Sequence, residues 1–268
     1  MREFEAAIIE LNSKQPNKIA TKVLEINMAT VKQHYADVLA EVYSWMSGGF
    51  DRALGKNVEF FQQYKIAPKG SGTAIDLGAG CGFQSIPLAL LRFTVTAIDL
   101  DEKLLDELQK NSGELAIATI QDDLINFEQY INNEAELIIC MTDTLLHLES
   151  KDKVTSLFNK VFSSLENDGR FIITFRDLSH ELSGLDRFIP LKSDEQTILT
   201  CFLEYELDTV KVHDLVYQKN NDSWKLNKSF YRKLRLSPQW VDEKLRNAGF
   251  GQIETEVNNG LVIIIAST

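Results

Sequence analysis

Apolar residues recur at two different spacings along the chain, and the change between them divides it into two parts. In residues 1–70 the apolar side chains are spaced as on one face of a helix. The predicted helices cover residues 21–29, 30–45 and 57–64. The run Ser47-Gly48-Gly49-Phe50 interrupts this pattern, and a loop with Pro and Gly over residues 68–72 ends it. The first part is therefore predicted to be a helical region.

From residue 71 onward, short apolar runs alternate with longer amphipathic ones. The predicted strands are residues 73–77, 94–100, 115–120, 136–141 and 170–175. The predicted helices between them are residues 84–92, 101–111 and 150–165. Strands and helices that alternate in this way are typical of a mostly parallel sheet with helices on both faces.

The C-terminal third departs from this alternation. Residues 197–217 and 224–236 alternate with a period of two around a polar turn, which predicts an antiparallel β segment inserted at about residues 195–237. Ser237 and Pro238 are suited to begin a helix that Gly249 ends. Two final strands, residues 252–257 and 261–267, bring the predicted sheet to seven strands. Residues 71–268 are therefore predicted to form one α/β domain with an inserted antiparallel segment.

Charge weighs against one class of partner. The chain has 39 Asp and Glu against 28 Lys and Arg, a formal net charge of −11, so it is repelled by nucleic-acid phosphates. One basic run fits either a solvated strand face or a phosphate site: Lys225, Lys228, Arg232, Lys233 and Arg235. We expect no nucleic-acid partner.

Cysteine usage and hydropathy bear on location. Cys81, Cys140 and Cys201 are odd in number and lie far apart, which disfavours a disulfide framework or a metal site and fits a reducing compartment. The N-terminus does not resemble a secretory signal, and no run of about 18 apolar residues predicts a membrane span. We expect a cytoplasmic protein without a bound metal or a membrane partner.

The first predicted strand leads into a glycine-rich loop, Asp76-Leu77-Gly78-Ala79-Gly80-Cys81-Gly82. A strand, a glycine loop and a helix in this order favour nucleotide binding, because glycines let the backbone approach a ligand closely. The spacing is not the G-x-G-x-x-G of dinucleotide folds, because Phe83 stands where the third glycine counted from Gly78 is required. This disfavours a nicotinamide-dependent oxidoreductase.

The loop instead fits acidic-x-G-x-G-x-G, with Asp76 at its head, and resembles the first motif of the class I (Rossmann-like) S-adenosylmethionine-dependent methyltransferases. S-adenosylmethionine carries a sulfonium and an ammonium and no phosphate, so an acidic residue is an advantage here. The resemblance covers residues 73–175 and the closing helix and strands. It implies a methyltransferase of the small-molecule type with S-adenosylmethionine as its cofactor.

The resemblance also implies which residues hold the cofactor. Asp76, Gly78, Ala79, Gly80 and Gly82 would surround the methionine part. Asp99, at the end of the second strand, would accept hydrogen bonds from both ribose hydroxyls. The remaining implied contacts are Leu100 and Leu124 at the adenine, Asp122 or Asp123 at its amino group, and Met141 after the fourth strand. Asp101 is expected to cap the following helix.

The acceptor side carries weaker signals. His147 titrates near neutral pH and is a candidate base, with a structural role as the alternative. Asp143, after the fourth strand, is a candidate catalytic residue at the mouth of the site. Arg176 follows the fifth strand and is a candidate to bind an anionic acceptor, with a salt bridge as the alternative. Residues 31–46 resemble the lid helices of small-molecule methyltransferases, in which an aromatic residue closes over the methionine part of the cofactor. Tyr35, Tyr43 and Trp45 are the candidates for that contact, with a place in the core as the alternative.

Several points stay open at this stage. Tyr205, Tyr217, Trp224, Tyr231 and Arg232 of the inserted segment are candidates to form a wall over the site. No Asn-Pro-Pro-aromatic or Asp-Pro-Pro-aromatic sequence follows the fourth strand, which disfavours a DNA or RNA acceptor. The alternative function is a non-catalytic S-adenosylmethionine-binding or regulatory protein. The oligomeric state is open, and the inserted segment could be a dimer surface.

Overall fold

The computed structural model describes residues 30–131, 133–221 and 223–268. The helix predicted over residues 21–29 lies outside the described residues, as does the rest of the predicted helical region up to residue 29. From residue 30 the chain is helical, as predicted, with Thr30 Oγ1 accepting a hydrogen bond from the N–H of Gln33 at 3.1 Å. The helical segment over residues 30–46 is called the lid segment below.

The helices are α1 (Val31–His34), α2 (Tyr43–Met46), α3 (Phe50–Gln63), α4 (Ser85–Leu90), α5 (Glu102–Ser112), α6 (Lys151–Ser164) and α7 (Pro238–Ala248). A π turn (Tyr35–Leu39) and a 3-10 turn (Ala40–Val42) join α1 to α2. Further 3-10 turns are Leu124–Tyr130, Thr144–His147 and Gly184–Arg187. The lid segment therefore changes its helical pitch three times, where the sequence predicts one continuous helix.

The strands are β1 (Thr73–Leu77), β2 (Thr94–Asp99), β3 (Ile117–Gln121), β4 (Ala135–Cys140), β5 (Leu165–Arg176), β6 (Phe188–Ser193), β7 (Thr197–Tyr205), β8 (Thr209–Asn220), β9 (Ser223–Leu234), β10 (Gln252–Asn258) and β11 (Leu261–Ser267). Seven of them form a sheet in the order β10-β11-β5-β4-β1-β2-β3. β11 runs antiparallel between β5 and β10, and the β1 to β5 pairs are parallel. This confirms the predicted fold class.

β5 begins five residues earlier than the sequence predicts, at Leu165 instead of Arg170. Leu165 pairs with Ala135, and the register then shifts so that Arg170 pairs with Leu137. Residues 166–169, which the sequence places between a helix and a strand, form an irregularity inside the strand, where Asp168 has φ +61°.

The remaining four strands form an antiparallel sheet in the order β6-β7-β8-β9, called the inserted sheet below. The single alternating run predicted over residues 197–217 is two strands, since the chain turns at residues 206–208 and the N–H of Glu206 donates to the carbonyl of Thr209 at 2.8 Å. β6 is an additional strand that the sequence analysis missed, because Pro190 and Lys192 mask its alternation.

Apolar cores lie on both faces of the large sheet. On one face, α6 and α7 bury Val154, Phe158 and Leu245 against β5 and β11. On the other face, α3 and α4 bury Phe61 and Leu88 against β1 and β4. The helices on both faces leave the carboxyl ends of the parallel strands accessible at one edge, where open α/β sheets bind ligands.

A third core joins the lid segment to the inserted sheet. Val38, Leu39 and Val42 pack against Leu199 and Val212, among other strand residues. β9 also contacts the turn Thr144–His147 that follows β4. The lid segment and the inserted sheet thus meet over the carboxyl edge of the large sheet.

The residues that cap α5 and α7 are those that the sequence predicts. Asp101 accepts from the N–H of Leu104 at 3.1 Å and begins α5, as predicted. Ser237 accepts from the N–H of Trp240 at 3.2 Å, and Gly249 ends α7 at φ +117°. Among the described residues, no helix is both long and apolar enough to span a membrane.

Candidate active site

The glycine loop after β1 lies close against the rest of the sheet edge. The N–H groups of Gly78 and Ala79 donate to the carbonyl of Ile98 at 2.8 and 3.0 Å. Gly78 has φ +80°, and a Cβ there would lie 2.3 Å from Cγ2 of Thr144. Glycine is needed at this position both for its backbone conformation and for the contact with Thr144.

Asp99 at the end of β2 organises the same loop. Its Oδ2 accepts from the N–H of Gly80 at 2.8 Å, and its Oδ1 accepts from the N–H of Asp101 at 2.9 Å. Burial raises the pKa of Asp99 above its ordinary value, although these backbone donors oppose the rise. Each carboxylate oxygen can accept a second hydrogen bond, so both remain able to bind a hydroxyl.

Asp76 lies behind the loop. Its side chain is buried and accepts from the hydroxyl of Ser85 at 2.6 Å. Burial raises its pKa from 3.8 to about 7, despite the opposing hydrogen bond from Ser85. The carboxyl group therefore supports the loop and α4 from below and titrates close to neutral pH.

The raised pKa of Asp76 predicts a pH-dependent stability. Between pH 4 and pH 7 the folded protein keeps a proton on Asp76 that the unfolded chain has released, so this group's contribution to the free energy of unfolding falls as the pH rises through that window. An Asp76→Asn variant cannot ionise there. We expect its free energy of unfolding, relative to the unsubstituted protein, to increase from pH 5 to pH 7.5 in urea titrations.

The matched control is Asp106→Asn, because Asp106 is exposed on α5. Its free energy of unfolding relative to the unsubstituted protein should be the same at both pH values. An equal offset at pH 5 and pH 7.5 for Asp76→Asn would show that the pKa of this carboxyl group is not raised in the folded protein.

A cleft of about 480 Å³ opens above the loop. Of the residues that the sequence predicts at the cofactor or the acceptor, those lining it are Tyr35, Tyr43, Gly78, Gly80, Asp99, Leu100, Asp122, Asp123, Leu124, His147, Tyr231 and Arg232. Its walls also include residues that the sequence analysis missed, such as Ile125, Leu148, Thr209, Phe230 and Leu234. No local motif marks these, because their place in the wall depends on tertiary packing.

Other predicted residues lie outside the lining. Ala79 and Gly82 of the loop are buried, as are Met141 after β4 and Asp76. Arg176 is exposed at the end of β5, where its N–H donates to Asp143 Oδ1 at 2.7 Å. The structure does not bring Arg176 to the cleft.

Asp122 and Asp123 both reach the cleft after β3, but they are bonded differently. Asp122 accepts from the hydroxyl of Tyr130 at 2.6 Å, from Asn126 at 3.2 Å and from the N–H of Asp123 at 2.7 Å. The Tyr130 hydroxyl in particular holds the pKa of Asp122 below its ordinary value. Asp123 caps the next turn through Oδ1, which accepts from the N–H of Ile125 at 3.0 Å.

Asp143 forms a salt bridge and does not line the cleft. Its Oδ2 lies 2.6 Å from Nζ of Lys233 on β9, with both side chains largely buried. Burial raises the pKa of Asp143, but the charge and the hydrogen bond of Lys233 outweigh it and bring the pKa below its ordinary value. The pair fastens the loop after β4 to the inserted sheet, and Asp143 adopts φ +69° there.

His147 combines burial with an unsatisfied nitrogen. Among the described residues, its Nδ1 is one of two buried side-chain polar atoms without a hydrogen-bond partner. Burial lowers its pKa to about 3, so the imidazole is neutral at physiological pH. The ring stacks on Tyr231 with centroids 5.2 Å apart and meets the edge of Tyr35 at 5.9 Å.

The three aromatic candidates of the lid segment separate in the structure. Tyr35 and Tyr43 line the cleft, with ring centroids 6.0 Å apart. Trp45 points away from it, because its Nε1 donates to Asp194 at 2.5 Å and its ring lies under Lys192. The structure does not bring Trp45 to the cleft.

The inserted sheet contributes part of the wall that the sequence predicts. Tyr231 and Arg232 of β9 line the cleft, and Arg232 is paired with Glu206 at 2.7 Å. Tyr205, Tyr217 and Trp224 do not line it. The other cleft-lining residues of the inserted sheet are Thr209 of β8 and Phe230 and Leu234 of β9.

Comparison with known proteins agrees with this geometry. Residues 74–169 match the profile of a family described as a methyltransferase domain. This part of the chain is similar to methyltransferase domains, and it carries the glycine loop, Asp99 and His147.

A relative known from its sequence resembles part of this chain. The chain is 35% identical over 99 residues to a putative methyltransferase, YqeM, of Bacillus subtilis, which is 37% of this chain and 40% of that protein. The chain thus spans less than half the length of that relative.

Solved structures share the fold over a longer stretch. An S-adenosylmethionine-dependent methyltransferase of Clostridium acetobutylicum has a TM-score of 0.66 and 17% identity, covering 81% of this chain and 91% of that one. CalS10, an amino pentose methyltransferase of Micromonospora echinaspora, has a TM-score of 0.64 and 11% identity, covering 81% and 90%.

Proposed function

We propose that this protein transfers the methyl group of S-adenosylmethionine to a small-molecule acceptor held under the lid segment and the inserted sheet. One observation carries the proposal. A single cleft joins the glycine loop and Asp99 to Tyr35, His147 and Tyr231. A cofactor end and an acceptor end are therefore continuous, as a direct transfer between two bound molecules requires.

The residues at the first end suit the cofactor. The close approach of Gly78 to Thr144 leaves no room for a side chain, so the backbone itself forms the floor of the site. The oxygens of Asp99 suit a vicinal diol, and Leu100 and Leu124 supply apolar contacts for a base. Asp123 has fewer hydrogen bonds within the protein than Asp122, so we assign it to the adenine amino group.

The chemistry of the step is carried by the cofactor. When bound, S-adenosylmethionine would supply a methyl group on a positively charged sulfur, which a lone pair of the acceptor atom would take while the carbon–sulfur electron pair stays with the S-adenosylhomocysteine that leaves. The residues of the chain align the acceptor and exclude water. The lid segment and β9 cover the cleft for this purpose.

His147 orients the acceptor in this proposal. His147 lines the cleft with a neutral imidazole, so a ring nitrogen that faces the cleft can accept a hydrogen bond from an N–H or O–H of the acceptor. With a pKa near 3 it is a weak base, so it directs the acceptor lone pair more than it removes a proton. Asp143 acts indirectly, by holding the turn that carries His147 through Lys233.

A small acceptor agrees with several observations. Structures that share the fold include an amino pentose methyltransferase and a glycopeptide N-methyltransferase, whose acceptors are of this kind. The strongly acidic chain disfavours a nucleic-acid acceptor. The buried free thiols of Cys81, Cys140 and Cys201 suit a reducing compartment, and we place the enzyme in the cytoplasm.

Binding of the cofactor product is the direct test. We expect isothermal titration calorimetry to give a dissociation constant for S-adenosylhomocysteine well below about 1 mM. This corresponds to a binding free energy more favourable than about −4 kcal/mol. NAD and NADP are the controls and should not shift the thermal midpoint. Absence of heat and of a thermal shift at millimolar S-adenosylhomocysteine would refute the cofactor assignment.

A second measurement separates catalysis from binding alone. Incubation with methyl-labelled S-adenosylmethionine and a mixture of small amines, hydroxy compounds and carboxylates should yield a labelled small product. Cofactor binding without any transfer to these classes would instead favour the non-catalytic alternative.

A further inference from the structure

His34 and Asp214 form a buried pair between two segments that are distant in sequence. His34 is the last residue of α1 in the lid segment, and Asp214 lies on β8 of the inserted sheet. His34 Nε2 lies 2.9 Å from Asp214 Oδ2. The two residues are 0% and 2% exposed, so solvent does not reach either of them.

A pair of this kind is not explained by stability alone. Removing a carboxylate and an imidazole from water is costly, and well-packed apolar residues often stabilise a core as well as a buried ionic pair. His34 Nδ1 is also buried and has no hydrogen-bond partner among the described residues. What the pair does provide is a directional link, since only one alignment of α1 on β8 lets Nε2 donate to Asp214.

The bond between His34 and Asp214 lies behind the wall of the cleft that Tyr35 and Tyr231 line. Tyr35 follows His34 in sequence, begins the π turn and lines the cleft. The ring of Tyr231 lies 4.4 Å from His34 on one side and 5.2 Å from His147 on the other. A rotation of α1 would therefore displace Tyr35 and remove the packing behind Tyr231.

We propose that His34 and Asp214 are positioning residues, which fasten the lid segment to the inserted sheet and thereby set Tyr231 and Tyr35 in the wall of the cleft, with Tyr35 beside Tyr43 at the glycine loop. The inference rests on the proposed function, because it takes this cleft to be the cofactor and acceptor site. It gives the inserted sheet a role in ligand binding through a residue that does not itself touch the ligand.

The test uses the full chain and S-adenosylhomocysteine as the probe. Asp214→Leu removes the acceptor for His34, and we expect it to weaken binding about fivefold in calorimetry. Asp214→Asn keeps an oxygen that accepts from Nε2, so its affinity should stay within about twofold. The control is His213→Gln, because His213 lies on the same strand with its side chain on the opposite face, bonded to Glu204 at 3.0 Å, and its replacement should leave the affinity unchanged.

A second background distinguishes positioning from general loosening. In a Tyr35→Ala variant the side chain that the pair places is gone, so adding Asp214→Leu should change the affinity by less than about twofold. The proposal would be overturned if Asp214→Leu weakened S-adenosylhomocysteine binding fivefold both in the unsubstituted protein and in the Tyr35→Ala variant. It would also be overturned if Asp214→Leu did not weaken binding in the unsubstituted protein. If the unsubstituted protein itself does not bind S-adenosylhomocysteine, the proposed function fails instead.

A double replacement covers the case in which Asp214→Leu does not fold. His34→Leu with Asp214→Leu substitutes an apolar pair and leaves no uncompensated buried charge. We expect this variant to keep its thermal midpoint while binding S-adenosylhomocysteine about fivefold more weakly. A retained midpoint with unchanged affinity would show that the pair serves only the packing of the core.

Discussion

Replacement of Asp99 by alanine should weaken the binding of S-adenosylhomocysteine at least about tenfold. The variant would lose the two hydrogen bonds that we propose Asp99 accepts from the ribose hydroxyls, and hydrogen bonds to a charged group are worth about 1.5–3 kcal/mol each. It would also lose the bond that fixes the N–H of Gly80, so the glycine loop would be less well ordered. Titration calorimetry of the variant at constant salt and pH measures the effect.

Two further variants complete the test of this site. Gly80→Val should weaken binding to a similar degree, because Gly80 has φ +53° and a β-branched residue is strained there. Asp106→Ala removes an exposed carboxylate of α5 and should leave the affinity unchanged. Unchanged affinity in both Asp99→Ala and Gly80→Val would show that the cofactor lies elsewhere.

Replacement of Lys233 by methionine should lower the free energy of unfolding by about 2–3 kcal/mol. The substitution keeps the apolar stem but leaves the carboxylate of Asp143 without its counter-ion, and breaking a buried pair costs about 3–5 kcal/mol. The two side chains are 13% and 14% exposed, so solvent reduces that cost somewhat. Urea denaturation followed by circular dichroism at pH 7 measures the change.

The partner substitution provides the control for Lys233. Asp143→Asn removes the charge but keeps an oxygen for the N–H of Arg176. We expect the double variant, Lys233→Met with Asp143→Asn, to regain most of the lost stability. If the double variant is as unstable as the sum of the single ones, the loss comes from packing of β9 and not from the buried charge.

The cofactor end of the site could be predicted because its geometry follows from short-range sequence. The residues of β1, its glycine loop and the acidic residue that ends β2 occupy fixed places in a parallel βαβ unit. The positions of Gly78, Gly80 and Asp99 in the cleft therefore follow from their positions in the chain. The periodicity of the apolar residues likewise predicted the large sheet and the helices on both of its faces.

The acceptor end could not be predicted in the same way, because segments far apart in sequence form it. Trp45 and Tyr35 are equally plausible as lid residues in the sequence. The change of pitch at the π turn and the bond from Trp45 to Asp194 decide which one faces the cleft. Asp143 resembles a catalytic carboxylate until Lys233, ninety residues later in the chain, is seen beside it.

The order of the strands in the large sheet has a consequence for biosynthesis. β11 pairs with β5 over the whole length of β11, from Leu261 with Arg176 to Ser267 with Arg170. The ribosome nevertheless synthesises the inserted sheet and α7 after β5 and before β11. During translation, the backbone edge of β5 that pairs with β11 stays open until β11 emerges, on a strand that includes the apolar residues Phe171, Ile173 and Phe175. An open edge on an apolar strand favours aggregation of nascent chains. Expression at low temperature or with chaperones should therefore raise the soluble yield more than stabilising the finished fold would.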